Sequence, residues 1–228
     1  LVIYNWEDYI DTGLLNEFEE YYREVTGRSL SITYSTFDTN ETMLTQVMRG
    51  ETAVDLVCPS EYAIERLMRA GLLANQTELV EEFSADYPDA FSNLDNVNQT
   101  VLEKIGETFG SMDINGESCD MRDYMVPYMW GTLGLLYNTK IISEEELEEC
   151  GWGMLWNESG NPDLENMILM KDSVRDSYAA VVFYMEEYGL LPDGISATYG
   201  KPFSELTANE LINCTDPEML DAAERLLT

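Results

Sequence analysis

Histidine is absent from the 228 residues. That removes the commonest general base and metal ligand. It also excludes any Ser-His-Asp or Cys-His catalytic arrangement within the chain. Basic residues are scarce: 12 Lys and Arg stand against 44 Asp and Glu, a formal net charge of −32. Nucleic acids and anionic lipid surfaces both recruit basic patches, so neither partner class is expected. The four cysteines, at 58, 119, 150 and 214, include no C-x-x-C pair, which argues against structural zinc. No metal and no cofactor is expected. No apolar run reaches the roughly 20 residues of a membrane helix, so no direct membrane span is expected. No secretory leader precedes the strand-like run at Leu1, as in a cytoplasmic protein or the mature part of an exported one.

With 45% hydrophobic and 25% charged residues, the chain has an ordinary folded composition and room for one or two domains. Its first 75 residues alternate strand and helix. Leu1–Tyr4 is a short apolar run. Leu14, Leu15, Phe18, Tyr21, Tyr22 and Val25 form a helical stripe over 13–26, with Gly27 as stop signal. Leu30, Ile32 and Tyr34 alternate as in a strand. Helical spacing returns over 41–49, a strand is expected over 53–58, and Ser60 is expected to cap a helix ending at Gly71. This order predicts an α/β layer fold with a largely parallel sheet.

Residues 75–123 are polar and read as surface loop or short helix. Residues 124–138 read as a strand, a crossing at Gly131 and Gly134, and a second strand. Met167–Met170 reads as a buried strand, with a helix over about 173–188. Ser143 with Glu146, Thr207 with Glu210, and Thr215 with Glu218 read as capping boxes. Cys58 reads as a buried small hydrophobe. A Cys119–Cys150 pair is left open. Asn40, Asn75, Asn98, Asn157 and Asn213 form N-x-S/T sequons, relevant only in a eukaryotic secretory pathway.

Three clusters follow apolar runs, where the loops at strand carboxyl ends form the ligand crevice of an open α/β sheet. The first is Asn5-Trp6-Glu7-Asp8-Tyr9, two carboxylates between two aromatics. A cationic ligand uses both: a carboxylate about 4 Å away attracts it by roughly 4 kcal/mol at an effective dielectric near 20. An aromatic face adds roughly 0.5–2 kcal/mol. The second is Pro59-Ser60-Glu61-Tyr62. The third is Lys171-Asp172-Ser173-Val174-Arg175-Asp176, in which Asp172 and Asp176 are spaced to share a helix face and Arg175 could orient an aspartate. Each cluster also has a purely structural reading, as a solvated acidic turn, an N-cap with a packing tyrosine, and a helix cap.

Taken in order, five runs resemble the spermidine/putrescine-binding proteins of bacterial ABC importers. They are Tyr-Asn-Trp-Glu-Asp-Tyr-Ile (4–10), Tyr-Ser-Thr-Phe-Asp-Thr-Asn-Glu-Thr-Met (34–43), Asp-Leu-Val-Cys-Pro-Ser-Glu-Tyr (55–62), Val-Pro-Tyr-Met-Trp-Gly-Thr (126–132) and Asp-Ser-Val-Arg-Asp (172–176). The resemblance implies a two-lobed, type II periplasmic-binding-protein-like α/β fold with its second lobe and return segment incomplete. The lobes would be residues 1–130 and 131–228, with a hinge near Trp130 and Gly131. It implies a non-enzymatic protein that captures putrescine or spermidine and delivers it to an importer's permease and, through that, its ATPase subunits. The location would be periplasmic or on the outer cell surface, with lipid anchoring left open. Ligand-binding roles carry over to Trp6, Glu7, Asp8, Tyr9, Ser60, Tyr62, Asp172 and Asp176. Some relatives have an aspartate where this chain has Ser173. Another cationic amine on the same scaffold, a two-carboxylate hydrolase and an adhesive domain are the alternatives.

Overall fold

β1 (Val2–Trp6) is the middle strand of a parallel three-stranded sheet, flanked by β2 (Thr33–Phe37) and β3 (Leu56–Val57). The computed structural model describes residues 1–50 and 53–228. They divide into two units, Leu1–Trp130 and Gly131–Thr228.

In the first unit, β1 pairs with β2 from Val2↔Thr33 to Trp6↔Phe37 and with β3 at Ile3↔Leu56 and Tyr4↔Val57. Helix α1 (Gly13–Thr26) connects β1 to β2 and ends at Gly27, whose φ of +69° suits a residue without Cβ. Helix α2 (Asn40–Met48) follows β2, capped by the Thr39 hydroxyl on Thr42 N–H. Helix α3 (Glu61–Arg69) follows β3. Tyr4 and Phe37 from the sheet, Met43 and Leu44 from α2, and Ala63 and Leu67 from α3 close a core between sheet and helices.

Both flanking strands are shorter than their patterns suggest. β2 starts at Thr33, not Leu30. β3 is two residues long; just before it Asp55 N–H donates to the Val2 carbonyl (2.9 Å), but Val2 N–H goes to the Asp55 carboxylate (2.7 Å) rather than to backbone. Residues 75–123, expected as surface loop or short helix, hold helices α4 (Gln76–Phe83) and α5 (Gln99–Phe109) and also an unexpected hairpin of β4 (Met112–Ile114) and β5 (Glu117–Cys119). The signals were local. Asn75 and Asn98, counted as sequons, are N-caps whose side chains accept from Glu78 and Val101 N–H. Asn115 and Gly116 both have positive φ, as a two-residue hairpin turn requires.

Two further strand expectations fail. Residues 125–138 and 167–170 contain no strand. β-branched and aromatic residues favour extension, but a strand exists only through a partner backbone, and no described segment pairs with either run. Trp130, Leu136 and Leu169 are 75%, 103% and 89% exposed.

The second unit is helical: α6 (Glu144–Cys150), α7 (Val174–Glu187), α8 (Ala208–Ile212) and α9 (Pro217–Leu227). Its main core joins Val181, Val182 and Met185 of α7 to Phe203, Leu211 and Met219. The capping box at Thr207 and Glu210 is complete. At Ser143 only the serine half forms, because the Glu146 carboxylate accepts instead from Asn161 Nδ2 (3.0 Å). Asp216, not Thr215, occupies the N-cap position of the last helix, without a side-chain cap bond, and Pro217 lies in its first turn.

Asp216 accepts from Ser196 Oγ (2.6 Å) and Thr198 N–H (3.2 Å), and these bonds, Ser196 first, hold its carboxyl below the ordinary range. Its stabilising effect is therefore present above the ordinary carboxylate pKa and is lost as pH falls through the folded value. Asp216→Ala leaves the fully buried Ser196 hydroxyl without its acceptor, a penalty of about 1–3 kcal/mol. We expect a lower melting temperature for Asp216→Ala at pH 7 and a smaller gap from wild type at pH 3, read by thermal denaturation at both pH values.

All four cysteines are free. Cys58 and Cys119 are half-buried, so Cys58 is less enclosed than its apolar run suggests. Among the described residues no helix is long and apolar enough to cross a membrane.

Candidate ligand-binding site

The chain passes from β1 to β2 on one side and returns to β3 on the other side of β1. Loops after β1 and β3 therefore diverge, and the carboxyl edge between them is the switch point where open α/β sheets bind ligands. Trp6–Tyr9 leaves β1 there, and Cys58–Tyr62 leaves β3, the Cys58 N–H donating to the Tyr4 carbonyl at 3.0 Å. Of the sequence-predicted residues, six meet at this edge: Trp6, Glu7, Asp8, Tyr9, Ser60 and Tyr62.

Trp6 is half-buried. Its ring lies 4.6 Å from that of Phe37 and 6.1 Å from that of Tyr9, so one aromatic surface runs from the core to the exposed loop. Glu7 and Asp8 are exposed, and Asp8 has φ +60°, a left-handed conformation that aspartate tolerates better than most residues. Two tyrosine hydroxyls bracket the pair. Tyr34 donates to the Trp6 carbonyl (3.3 Å) and Tyr128 to the Tyr9 carbonyl.

Ser60 occupies the N-cap position of α3 but makes no side-chain cap bond. It is tied instead to buried Asn40, which donates to Ser60 Oγ (3.0 Å) and accepts from Ser60 N–H (3.1 Å). A hydroxyl has two lone pairs, so Ser60 Oγ can still accept from an ammonium. Tyr62 donates to Glu41 Oε1 (2.8 Å). The N-termini of α2 and α3 both point to this edge, and their partial positive charge would favour an anion. Glu41 and Glu61 sit in those first turns, with Glu7, Asp8 and Asp38 exposed nearby in the chain, so the edge is acidic despite the dipoles.

Cys58, Tyr34 and Tyr128 share this neighbourhood. Burial pushes the Cys58 thiol up, and burial followed by Cys58 and Tyr34 pushes the Tyr128 hydroxyl up. The thiol stays protonated and is no nucleophile at neutral pH. Tyr34, Asn40, Glu41 and Tyr128 received no role from their residue types. Their one signal was membership of the runs 34–43 and 126–132.

Asp172 and Asp176 belong to the second unit. The N-cap of α7 is Ser173, which accepts from Asp176 N–H (3.4 Å), so Asp172 lies outside the helix and the two do not share a helical face. Asp172 is exposed. Asp176 is half-buried and ion-paired to Lys171 Nζ at 2.6 Å. Arg175 donates to the Ile212 carbonyl and the Asn213 side chain, holding the end of α8. A cleft of about 570 Å³ in the same unit is lined by Glu145, Glu146, Glu149, Glu158 and Tyr188. It contains none of the sequence-predicted residues. Among the described residues, no group of three or more acidic or cysteine side chains is arranged to hold a metal ion.

The fold that carries this aromatic–carboxylate edge is an α/β binding-protein fold. The spermidine/putrescine ABC transporter substrate-binding protein PotD of Streptococcus pneumoniae, solved with calcium and HEPES, superposes with a TM-score of 0.57 at 26% identity. That match covers 100% of this chain and 52% of the other. The spermidine/putrescine-binding periplasmic protein of Salmonella typhimurium is 27% identical over 179 residues, 78% of this chain and 42% of that protein. The putrescine-binding periplasmic protein PotF of Escherichia coli is 27% identical over 191 residues, 81% of this chain and 44% of its own length. The chain thus spans about half the length of the relatives it matches. The profile of the family described as "Hypothetical lipoprotein (MG045 family)" matches residues 1–178, and the chain belongs to that family.

Proposed function

We propose that this chain is the polyamine-capturing part of an extracytoplasmic substrate-binding protein that serves an ABC importer. The observation that carries the proposal is the switch-point edge of the first unit. There an aromatic surface (Trp6, Tyr9) adjoins exposed carboxylates (Glu7, Asp8), with Ser60 and Tyr62 at the start of α3, which follows β3. Ammonium groups take the carboxylates and the ring faces cover methylenes, a pairing that favours amines over sugars or anions. Asp172 and Asp176 of the second unit, matched by the resemblance of the run 172–176, are proposed as further amine-binding carboxylates. Relatives named for spermidine and putrescine support the ligand class, and their names as periplasmic binding proteins support a non-enzymatic, extracytoplasmic role. The importer's permease is the proposed partner. A net charge of −32 would also speed encounter with cations, an effect that salt suppresses.

The test is thermal denaturation with putrescine or spermidine, at low and moderate salt, with magnesium as the charge control. A ligand at a hundred times its Kd adds about 2.7 kcal/mol. We expect a rise in melting temperature that survives moderate salt and that magnesium does not reproduce. A rise equalled by magnesium, or none, refutes specific polyamine binding by this chain.

A further inference from the structure

Between the carbonyls of Trp6 and Tyr9 lie the two exposed carboxylates of the candidate site, and a tyrosine hydroxyl holds each carbonyl. The two tyrosines come from different parts of the first unit. Tyr34 is on β2, beside β1. Tyr128 is 119 residues along the chain from Tyr9, in a stretch with no regular secondary structure, and is 53% exposed. A half-exposed tyrosine contributes little to a core, so packing alone does not account for a long-range bond made there. The loop it holds has a reason to be held. Asp8 sits at φ +60°, a left-handed conformation that fixes the direction in which the Glu7–Asp8 turn presents its side chains. Trp6 closes β1 and Tyr9 lies beyond it, and the two hydroxyls give their carbonyls protein partners where the sheet ends.

We infer that Tyr34 and Tyr128 are positioning residues: a two-point clamp on the Trp6 and Tyr9 carbonyls that keeps Glu7 and Asp8 pre-set for a cationic ligand. The polyamine assignment rests on the reading above, whereas the clamp itself does not. Held carboxylates need no ordering when the ligand arrives, so the clamp favours binding without touching the ligand.

The experiment measures hydrogen exchange of the segment 6–10 in the ligand-free full chain, for wild type, Tyr128→Phe, Tyr34→Phe and the double variant. Phenylalanine keeps the ring and removes only the donor. We expect exchange in 6–10 to quicken by about tenfold in Tyr128→Phe and further in the double variant, with α2 and α3 unchanged and the melting temperature close to wild type. In parallel, calorimetry with putrescine and spermidine should show Kd rising about 3- to 10-fold, the loss of one hydrogen bond's net effect. Unchanged exchange in 6–10 overturns the clamp, whatever the ligand. Quickened exchange with unchanged affinity overturns its role in binding. Quickened exchange in a chain whose wild type binds neither polyamine upholds the clamp on the loop and refutes the polyamine reading alone. If Tyr128→Phe lowers stability throughout, Tyr34→Phe supplies the same comparison from the other end of the loop.

Discussion

Asp8→Asn is expected to weaken putrescine and spermidine binding by about 1–3 kcal/mol, roughly 5- to 150-fold, with the melting temperature of the free chain unchanged. The substitution isolates charge. Asparagine is at least as comfortable as aspartate at φ +60°, so the loop backbone has no reason to move. The side chain is exposed and accepts no bond that the fold depends on. What disappears is a charge-assisted hydrogen bond and its Coulomb attraction. Asp176→Asn should cost less. That carboxylate is already paired with Lys171 at 2.6 Å, and an incoming ammonium has to displace the lysine before it gains anything. Lys171→Gln should therefore tighten binding modestly, because the competing cation is gone. Calorimetry across the three variants at two salt concentrations checks the order. Wild-type affinity in Asp8→Asn would remove Asp8 from the site.

Much of the first unit was legible because its signals were periodic and local. The stripe of α1 and its stop at Gly27, the Ile64–Leu67–Met68 face of α3, and the order strand–helix–strand all follow from spacing and steric rules that need no tertiary context. Strand extent was not legible. Pairing decides it, and pairing is non-local: just before β3 the Asp55 carboxylate takes the Val2 N–H across the sheet, and residues 125–138 have strand-like side chains but no strand partner among the described residues. The two asparagine caps and the Asn-Gly turn over 75–119 show the opposite failure. Those signals were local and readable, but the polarity of the stretch left the helix starts unplaced and the hairpin unread.

The site divides in the same way. Trp6, Glu7, Asp8 and Tyr9 are contiguous, so their chemistry could be read from one pentapeptide. Ser60 was assigned as a helix cap because a serine before a helix nearly always reads so. Its actual partner, Asn40, is twenty residues away on α2 and reaches it only because α2 and α3 pack on one sheet face. Tyr128 is more distant still. No spacing rule connects it to Tyr9, and only the folded first unit brings the two together. Residue types thus named the groups that could face a ligand, whereas those that hold them in place became visible only through long-range hydrogen bonds.

Phe203→Ala is expected to cost the second unit about 3–5 kcal/mol, against a stability of about 5–15 kcal/mol for a typical domain. Phe203 is 1% exposed and packs among Val181, Val182, Met185, Leu211 and Met219, so its removal leaves a cavity bounded by α7, α8 and α9. Phe203 opens a short 3-10 helix (Phe203–Glu205), and backbone collapse around it is limited by Glu205 N–H on the Pro202 carbonyl and Leu206 N–H on the Phe203 carbonyl. Loss of this core loosens α7, and with it the N-terminal turn that carries Ser173 and Asp176. The first unit has separate cores of its own, around Tyr4 and Leu67 and around Ile64 and Met121. Hydrogen exchange under increasing urea should therefore show α7–α9 opening at lower denaturant in Phe203→Ala, with β1, α2 and α3 opening near their wild-type midpoint. A uniform shift of both units would mean that they unfold as one cooperative body, and Phe203 would then destabilise the Trp6–Tyr9 edge as much as α7.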